Sequence, residues 1–233
     1  PPSAANGPGR RSALAAARRT PGVVRDGLAS VRRIPVLRGL VMVEVFWSVA
    51  MIAFETLNPV RLTELVGSEE RAGELYGPAS AAAWALYAAG SAAAGWASRR
   101  LGVAWTAVLA RVLNGGFVIA MGLVAGPVGL VAAYWLAYLT HGAANPVHSV
   151  LLHRQAERAN RVTVLSVNSM VSGGVYSLGL LALGPLAEHT STATAIVVAG
   201  AFSLFGALAY RPALREERAL QDRVDRRWTR VGS

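Results

Sequence analysis

Six long apolar runs alternate with short arginine-rich blocks along this chain, and this alternation restricts the possible folds most strongly. The runs cover approximately 34–58, 75–97, 103–125, 127–151, 162–186 and 190–210. Each is long enough for a helix that crosses roughly 30 Å of hydrocarbon. The last run has no charge between Thr194 and Ala209, so it lacks the polar face of a soluble bundle helix. The pattern predicts an all-α, polytopic membrane protein with six transmembrane helices.

Composition excludes several other classes. Hydrophobic residues make up 53% of the 233 residues and only 15% are charged, which excludes an intrinsically disordered chain. There is no cysteine, which excludes a disulfide scaffold and Cys-ligated metals. There is no lysine either, so a P-loop is absent, and we find no other enzyme motif. The sequence predicts no enzyme, no cofactor and no metal site.

The distribution of arginine predicts an orientation. All 23 basic residues are arginine; they lie mainly before the first run, at 99–100, at 154–161 and after 210, whereas the segment 61–74 is mostly acidic. Because short cytoplasmic loops retain basic residues, we expect a plasma-membrane protein with both termini in the cytoplasm. The net charge of +10 is then a topology signal, with lipids as partners and no nucleic acid.

Three segments follow from this topology. Residues 1–33 form a predicted basic cytoplasmic linker, 34–210 the six-helix bundle and 211–233 a basic cytoplasmic tail. The opening residues 1–9 are typical of a linker, and we expect a loop of a longer chain here. In the tail, Leu220, Val224 and Trp228 recur at helical spacing, which fits either an interfacial helix on the headgroups or a solvated charged helix.

Two loops and one helix carry a family resemblance. The segment 95–102 resembles the loop after the eighth helix of major facilitator superfamily transporters, on Gly95, Arg99 and Gly102; Ser98 replaces the acidic residue of that loop. The segment that begins at Arg161 and continues to 188 is similar to the eleventh helix of the same superfamily, and 25–38 resembles the entry into its seventh helix.

The resemblance implies the C-terminal half, helices seven to twelve, of a twelve-helix carrier that is similar to drug–proton antiporters. Such carriers enclose a central cavity between two six-helix bundles, so the N-terminal half would be a partner, together with a small organic substrate and protons. Gly95, Arg99, Gly102 and Arg161 would belong to the gating loops. The seventh and tenth helices would line the cavity.

Acidic residues inside the first apolar run are candidates for proton coupling, because ionisable groups in a membrane are costly. Glu44 and Glu55 are 11 residues apart, about 20° from three full helical turns, so they share a face with Trp47 and Met51, near Asn58. Glu44 is predicted near mid-membrane, where a proton-coupled antiporter needs a carboxyl group that gains and loses a proton. A static partner of a buried arginine is the alternative, and Glu55 is expected to reach water.

A polar stripe follows the fourth run at spacings of 4, 3, 4 and 3: Tyr134, Tyr138, His141, Asn145 and His148. Such a stripe must face protein or water. It fits a cavity for an amphipathic organic substrate, with His141 as a second proton carrier. Hydrogen bonding between helices without a ligand is the alternative.

The remaining polar residues are on the third and fifth runs. Asn168, Ser172 and Tyr176 share a helical face, which is expected to line the cavity or the partner half. Arg111 shares a face with Asn114; it is either a buried partner of Glu44 or extends towards the cytoplasm. A secondary transporter is the first hypothesis for function, and a non-transporting scaffold or partner-binding subunit is the second.

Overall fold

The computed structural model describes residue 25, residues 28–156 and residues 161–231. Within these ranges every regular element is helical, which agrees with the all-α class. Most of the predicted linker 1–33 lies outside the described residues, as do the side chains of Val224 and Trp228 in the tail.

From residue 35 onward, the described residues form eight α-helices, with a π-helical turn and a 3-10 segment inserted between consecutive helices; residues 28–33 are also helical. In chain order we name the α-helices α1 to α8. They are α1 (Pro35–Ile52), the π turn (Ala53–Leu57), α2 (Asn58–Val66), α3 (Glu69–Leu101), α4 (Val103–Leu123), α5 (Pro127–Gln155), α6 (Arg161–His189), α7 (Thr192–Leu204), the 3-10 segment (Phe205–Tyr210) and α8 (Arg211–Val231).

Local sequence explains the helix ends. Gly67 ends α2 in a left-handed conformation with φ of 77°, which glycine adopts without steric cost. The Ser68 hydroxyl then accepts from the Arg71 amide and caps α3, as N-terminal serines commonly do. Gly102, with φ of 86°, separates α3 from α4.

Four helical segments are long and apolar enough to cross a membrane: Pro35–Val66, Val103–Leu123, Arg161–His189 and Thr192–Arg223. The first runs through the π turn, and the last runs through the 3-10 segment. The two other predicted spans lie within α3 and α5, which are of comparable length. Both are less apolar, since α3 is rich in alanine and glycine and α5 carries the polar stripe.

Glycines allow the helices to cross closely. A Cβ at Gly90 of α3 would overlap the carbonyl of Leu139, and one at Gly142 of α5 would overlap the carbonyl of Tyr87. The Ser91 hydroxyl donates to the Gly142 carbonyl across the same crossing, at 2.8 Å. Small residues at helix contacts let backbones approach in this way, and they fix α3 against the face of α5 that carries the stripe.

Two helices are buried on only a narrow face. Helix α3 buries a stripe of small residues, and α6 buries only three of its 29 residues. Large apolar side chains such as Trp84 on α3 and Met170 and Leu181 on α6 remain exposed. The buried residues of α3 are Ala72, Ala79, Ala83, Gly90 and Ala94, and those of α6 are Thr163, Val164 and Leu183.

Candidate functional site

A buried polar cluster lies where α1, α4, α5 and the 3-10 segment meet. Glu44 of α1, Arg111 of α4 and His148 of α5 are each less than 9% exposed, and Tyr210 of the 3-10 segment is fully buried. Burying a charge is costly unless another group compensates it. The arrangement of these four side chains is therefore the most informative feature of the interior.

His148 joins two other helical elements through its two ring nitrogens. Its Nε2 lies 3.1 Å from Oε1 of Glu44, and its Nδ1 lies 2.9 Å from the Tyr210 hydroxyl in a hydrogen bond. The Glu44 contact is close, but it is not aligned as a hydrogen bond. A carboxyl, an imidazole and a phenol, each able to gain or lose a proton, thus lie in series through the interior.

Arg111 lies beside this series of groups. Its guanidinium is 4% exposed and stands 4.0 Å from the ring centre of Trp47, a cation–π distance. It is within electrostatic reach of Glu44, which answers the question of where this arginine extends. None of its three side-chain nitrogens makes a geometrically aligned hydrogen bond among the described residues, and the Glu44 carboxylate and the Tyr210 hydroxyl both lie within its electrostatic reach.

Trp47 connects the charged cluster to the polar stripe. The His141 ring stacks on it at 4.4 Å between ring centres and 27° between planes, and Nδ1 of His141 has no partner among the described residues. Tyr134 and Tyr138 are also buried, whereas Asn145 is exposed and donates to the Tyr87 hydroxyl. Four of the five stripe residues therefore face the interior.

Glu55 lies in a second polar region at the π turn. It is half-buried and within electrostatic reach of Tyr76 and Tyr138. The rings of Tyr76, Tyr134 and Tyr138 follow one another at 6.1 and 4.8 Å between centres. Of these residues, Tyr76 also lines a cavity of about 490 Å³ between α2 and α3.

Helix α6 contacts α1 through two hydroxyl pairs. Ser172 lies 2.9 Å from the Ser48 hydroxyl, and Tyr176 lies 2.7 Å from the Thr56 hydroxyl. Asn168 is half-buried, and its Oδ1 has no partner among the described residues. The predicted polar face of α6 thus packs partly on α1.

The other predicted residues on α1 lie close to these regions. Met51 is half-buried and packs against the hydrophobic core. Asn58 is 3% exposed, and its Oδ1 lacks a partner among the described residues. Met51 belongs to the end of α1, whereas Asn58 begins α2 after the π turn.

The predicted gating-loop residues lie at helix ends. Gly95 is exposed near the end of α3 and lies against the Arg99 side chain, Gly102 forms the turn, and Arg161 is the exposed first residue of α6. A carboxylate does lie at this turn: that of Glu217 on α8 accepts from the amides of residues 103 and 104, each at 2.9 Å.

Sequence reasoning did not identify four contributing residues. Tyr210 and Glu217 act across 62 and 114 positions of sequence, and no local pattern indicates such contacts. Ser48 and Thr56 also went unnoticed, although both lie on the helix that carries Glu44 and Glu55.

No cluster of metal-ligating side chains occurs within residues 28–156 and 161–231. No protein-family model matches the chain, and no curated protein matches it. The site therefore has to be interpreted from its own geometry.

Proposed function

We propose that this chain is the C-terminal six-helix half of a secondary transporter of the major facilitator type, which exports small organic molecules from the cell in exchange for protons. The observation that carries the proposal is the buried series Glu44, His148 and Tyr210 beside the buried guanidinium of Arg111. A structural core has no need for so many ionisable groups, because each is costly to bury.

Several features support a membrane location with six spans. Four helical segments are apolar enough to cross a bilayer, and the exposed faces of α3 and α6 are rich in large apolar side chains. Arginines cluster at one end of the helices, in the chain segments near 32–38, 99–100, 154 and 211–223. This distribution supports cytoplasmic termini.

Glu44 is the proposed proton carrier. When it is ionised, His148 and Arg111 both lie close enough to stabilise the negative charge. Protonation removes that charge and leaves Arg111 without a counter-ion, so the packing of α1 against α4 and α5 becomes less favourable. A proton on Glu44 therefore changes the relative energies of helix arrangements, which is the requirement for coupling.

The aromatic region between α1, α3 and α5 is the proposed substrate site. Trp47 and His141 stack at one end of it, while Tyr76, Tyr134 and Tyr138 approach Glu55 at the other. Aromatic rings bind planar apolar groups, and a carboxylate among them favours a cation. The lining thus suits an amphipathic organic molecule with a positive charge.

A non-transporting scaffold is the other candidate. The exposed apolar faces of α3 and α6 would serve a partner-binding subunit equally well. Such a protein has no use for a buried series of ionisable groups, so we place it second.

The test is transport by the protein that contains this chain, with both halves present, in liposomes with an imposed pH gradient. We expect gradient-driven movement of a fluorescent organic cation, and Glu44→Gln should abolish the dependence on the gradient. Glu188→Gln, which changes an exposed carboxylate, is the matched control. Gradient-driven transport by Glu44→Gln at the wild-type rate would refute the proton role, and no transport by the wild type would favour the scaffold.

A further inference from the structure

Two exposed tryptophans near the turn between α3 and α4 each have an arginine guanidinium over the indole ring. Trp96 is 58% exposed and has the Arg100 guanidinium 5.5 Å from its ring centre; Trp105 is 45% exposed and has the Arg218 guanidinium at 5.9 Å. Tryptophan is enriched at membrane–water boundaries, where its ring is apolar on one side and wet on the other. The two pairs lie on either side of Gly102.

The tail helix α8 is held at this turn. Both carboxylate oxygens of Glu217 accept backbone amides at the start of α4, and Arg154 approaches the same carboxylate at 3.8 Å. Glu216 accepts from Gln155 at 2.8 and 2.9 Å. Because Glu217 is fixed, the adjacent Arg218 is held beside Trp105.

The positive charges at this turn are not neutralised by the protein. Arg100 and Arg218 are exposed, and neither guanidinium has a hydrogen-bond or ion-pair partner in the part of the chain that the structure describes. The carboxylates of Glu216 and Glu217 already accept from other groups. Stacking on a ring leaves the guanidinium N–H groups free to donate.

We propose that Arg100 and Arg218, with Trp96 and Trp105, form a binding site for an anionic phospholipid. The guanidinium groups would donate to the headgroup phosphate, while the indole rings would lie against the glycerol and upper acyl region. Charge complementarity identifies the occupant, since two unneutralised arginines at the bilayer surface attract anionic lipid. This inference rests on the membrane location in the proposed function and is independent of transport.

The experiment measures thermal unfolding of the purified protein in detergent with added phosphatidylglycerol or phosphatidylcholine. We expect phosphatidylglycerol to raise the unfolding temperature in a saturable manner and phosphatidylcholine to have little effect. The variant Arg100→Gln/Arg218→Gln should bind phosphatidylglycerol about 30-fold more weakly, since each arginine near an anionic surface contributes about five-fold. Arg215→Gln/Arg223→Gln is the matched control, because it removes two exposed arginines of α8 that stack on no tryptophan among the side chains that the structure describes.

Equal weakening in both double variants would show general attraction to the tail and overturn the site. Inorganic phosphate provides a second arm: an equal, Arg100-dependent rise with phosphate alone would show a soluble-anion site and also overturn the lipid proposal. Insertion is checked separately by reconstitution into phosphatidylcholine liposomes. A protein that inserts there but shows no preference for anionic lipid contradicts this site and leaves the proposed function intact, whereas failure to insert contradicts both.

Discussion

Glu44 of α1 and His148 of α5 lie 3.1 Å apart between Oε1 and Nε2, and both side chains are almost completely buried. Removing one member of a buried pair leaves the other uncompensated, at a cost of about 3–5 kcal/mol. We therefore expect Glu44→Ala to lower the free energy of unfolding by about that amount, as measured by denaturation in detergent.

A double substitution separates pairing from packing. Replacing both partners, as in Glu44→Leu/His148→Leu, removes the imidazole that Glu44→Ala leaves without its carboxylate, and apolar replacements of buried pairs are often neutral or stabilising. Arg111 loses the nearby carboxylate in both variants, so it does not decide the comparison. The double variant should be more stable than Glu44→Ala while showing no proton coupling. If it is less stable than Glu44→Ala, the contact is not the source of the stability loss.

The contact between Arg111 and the Trp47 ring leads to a second prediction, about the stability of the same cluster. A desolvated cation–π contact contributes about 2 kcal/mol, and lysine lacks the planar group that stacks over the ring. We expect Arg111→Lys to lower the unfolding temperature measurably. The same substitution at the exposed Arg223 should have no effect, and equal effects at both positions would contradict a specific contact.

The crossing of α3 and α5 makes a prediction about packing. A methyl group at Gly142 would overlap the backbone of α3, so Gly142→Ala should destabilise the protein by about 1–3 kcal/mol, the usual cost of overpacking. Gly116 of α4 is exposed and has nothing within 4 Å of its would-be Cβ, so Gly116→Ala should be neutral or stabilising by up to about 1 kcal/mol through helix propensity. Thermal unfolding of the two variants distinguishes them, and a neutral Gly142→Ala would contradict the close crossing.

The Glu217 contact with α4 is testable by hydrogen exchange. Glu217→Ala leaves two amides at the start of α4 without an acceptor, and loss of such a cap costs about 1 kcal/mol. The amides of Val103 and Ala104 should then exchange faster by about five-fold. Asp222→Ala removes an exposed carboxylate of the same helix and should leave these amides unchanged.

Helical periodicity predicted the stripe on α5 well for a physical reason. The helix continues through Pro146 without interruption, so the spacing of Tyr134, Tyr138, His141 and His148 keeps them on the buried side. Asn145 is the exception: its side chain is exposed and donates to the Tyr87 hydroxyl at the surface.

Helical periodicity is less informative for the spacing between Glu44 and Glu55. Glu55 lies within the π turn, and the wider turn changes the angular relation that an ideal α-helix would give. The structure places Glu44 beside Arg111 and His148, and Glu55 beside Tyr76 and Tyr138. Single π turns are not visible in periodicity, so the sequence could predict the helix but not the separate environments.

Local sequence patterns also could not predict the long-range contacts of Tyr210 and Glu217. Tyr210 ends the last apolar run, and Glu217 belongs to a segment whose pattern indicated only a charged helix. Both act through tertiary contacts whose register depends on how α8 and the 3-10 segment pack against α4 and α5. Composition and periodicity determine the fold class here, while long-range packing determines which charged groups meet.

Proton release on substrate binding tests the central claim most directly. The purified protein with both halves present is placed in weakly buffered detergent solution with a pH-sensitive dye, and an organic cation substrate is added. The account predicts that the wild type and Glu188→Gln release protons, whereas Glu44→Gln binds the cation and releases none. Undiminished proton release by Glu44→Gln would contradict the assignment of Glu44 as the coupling residue.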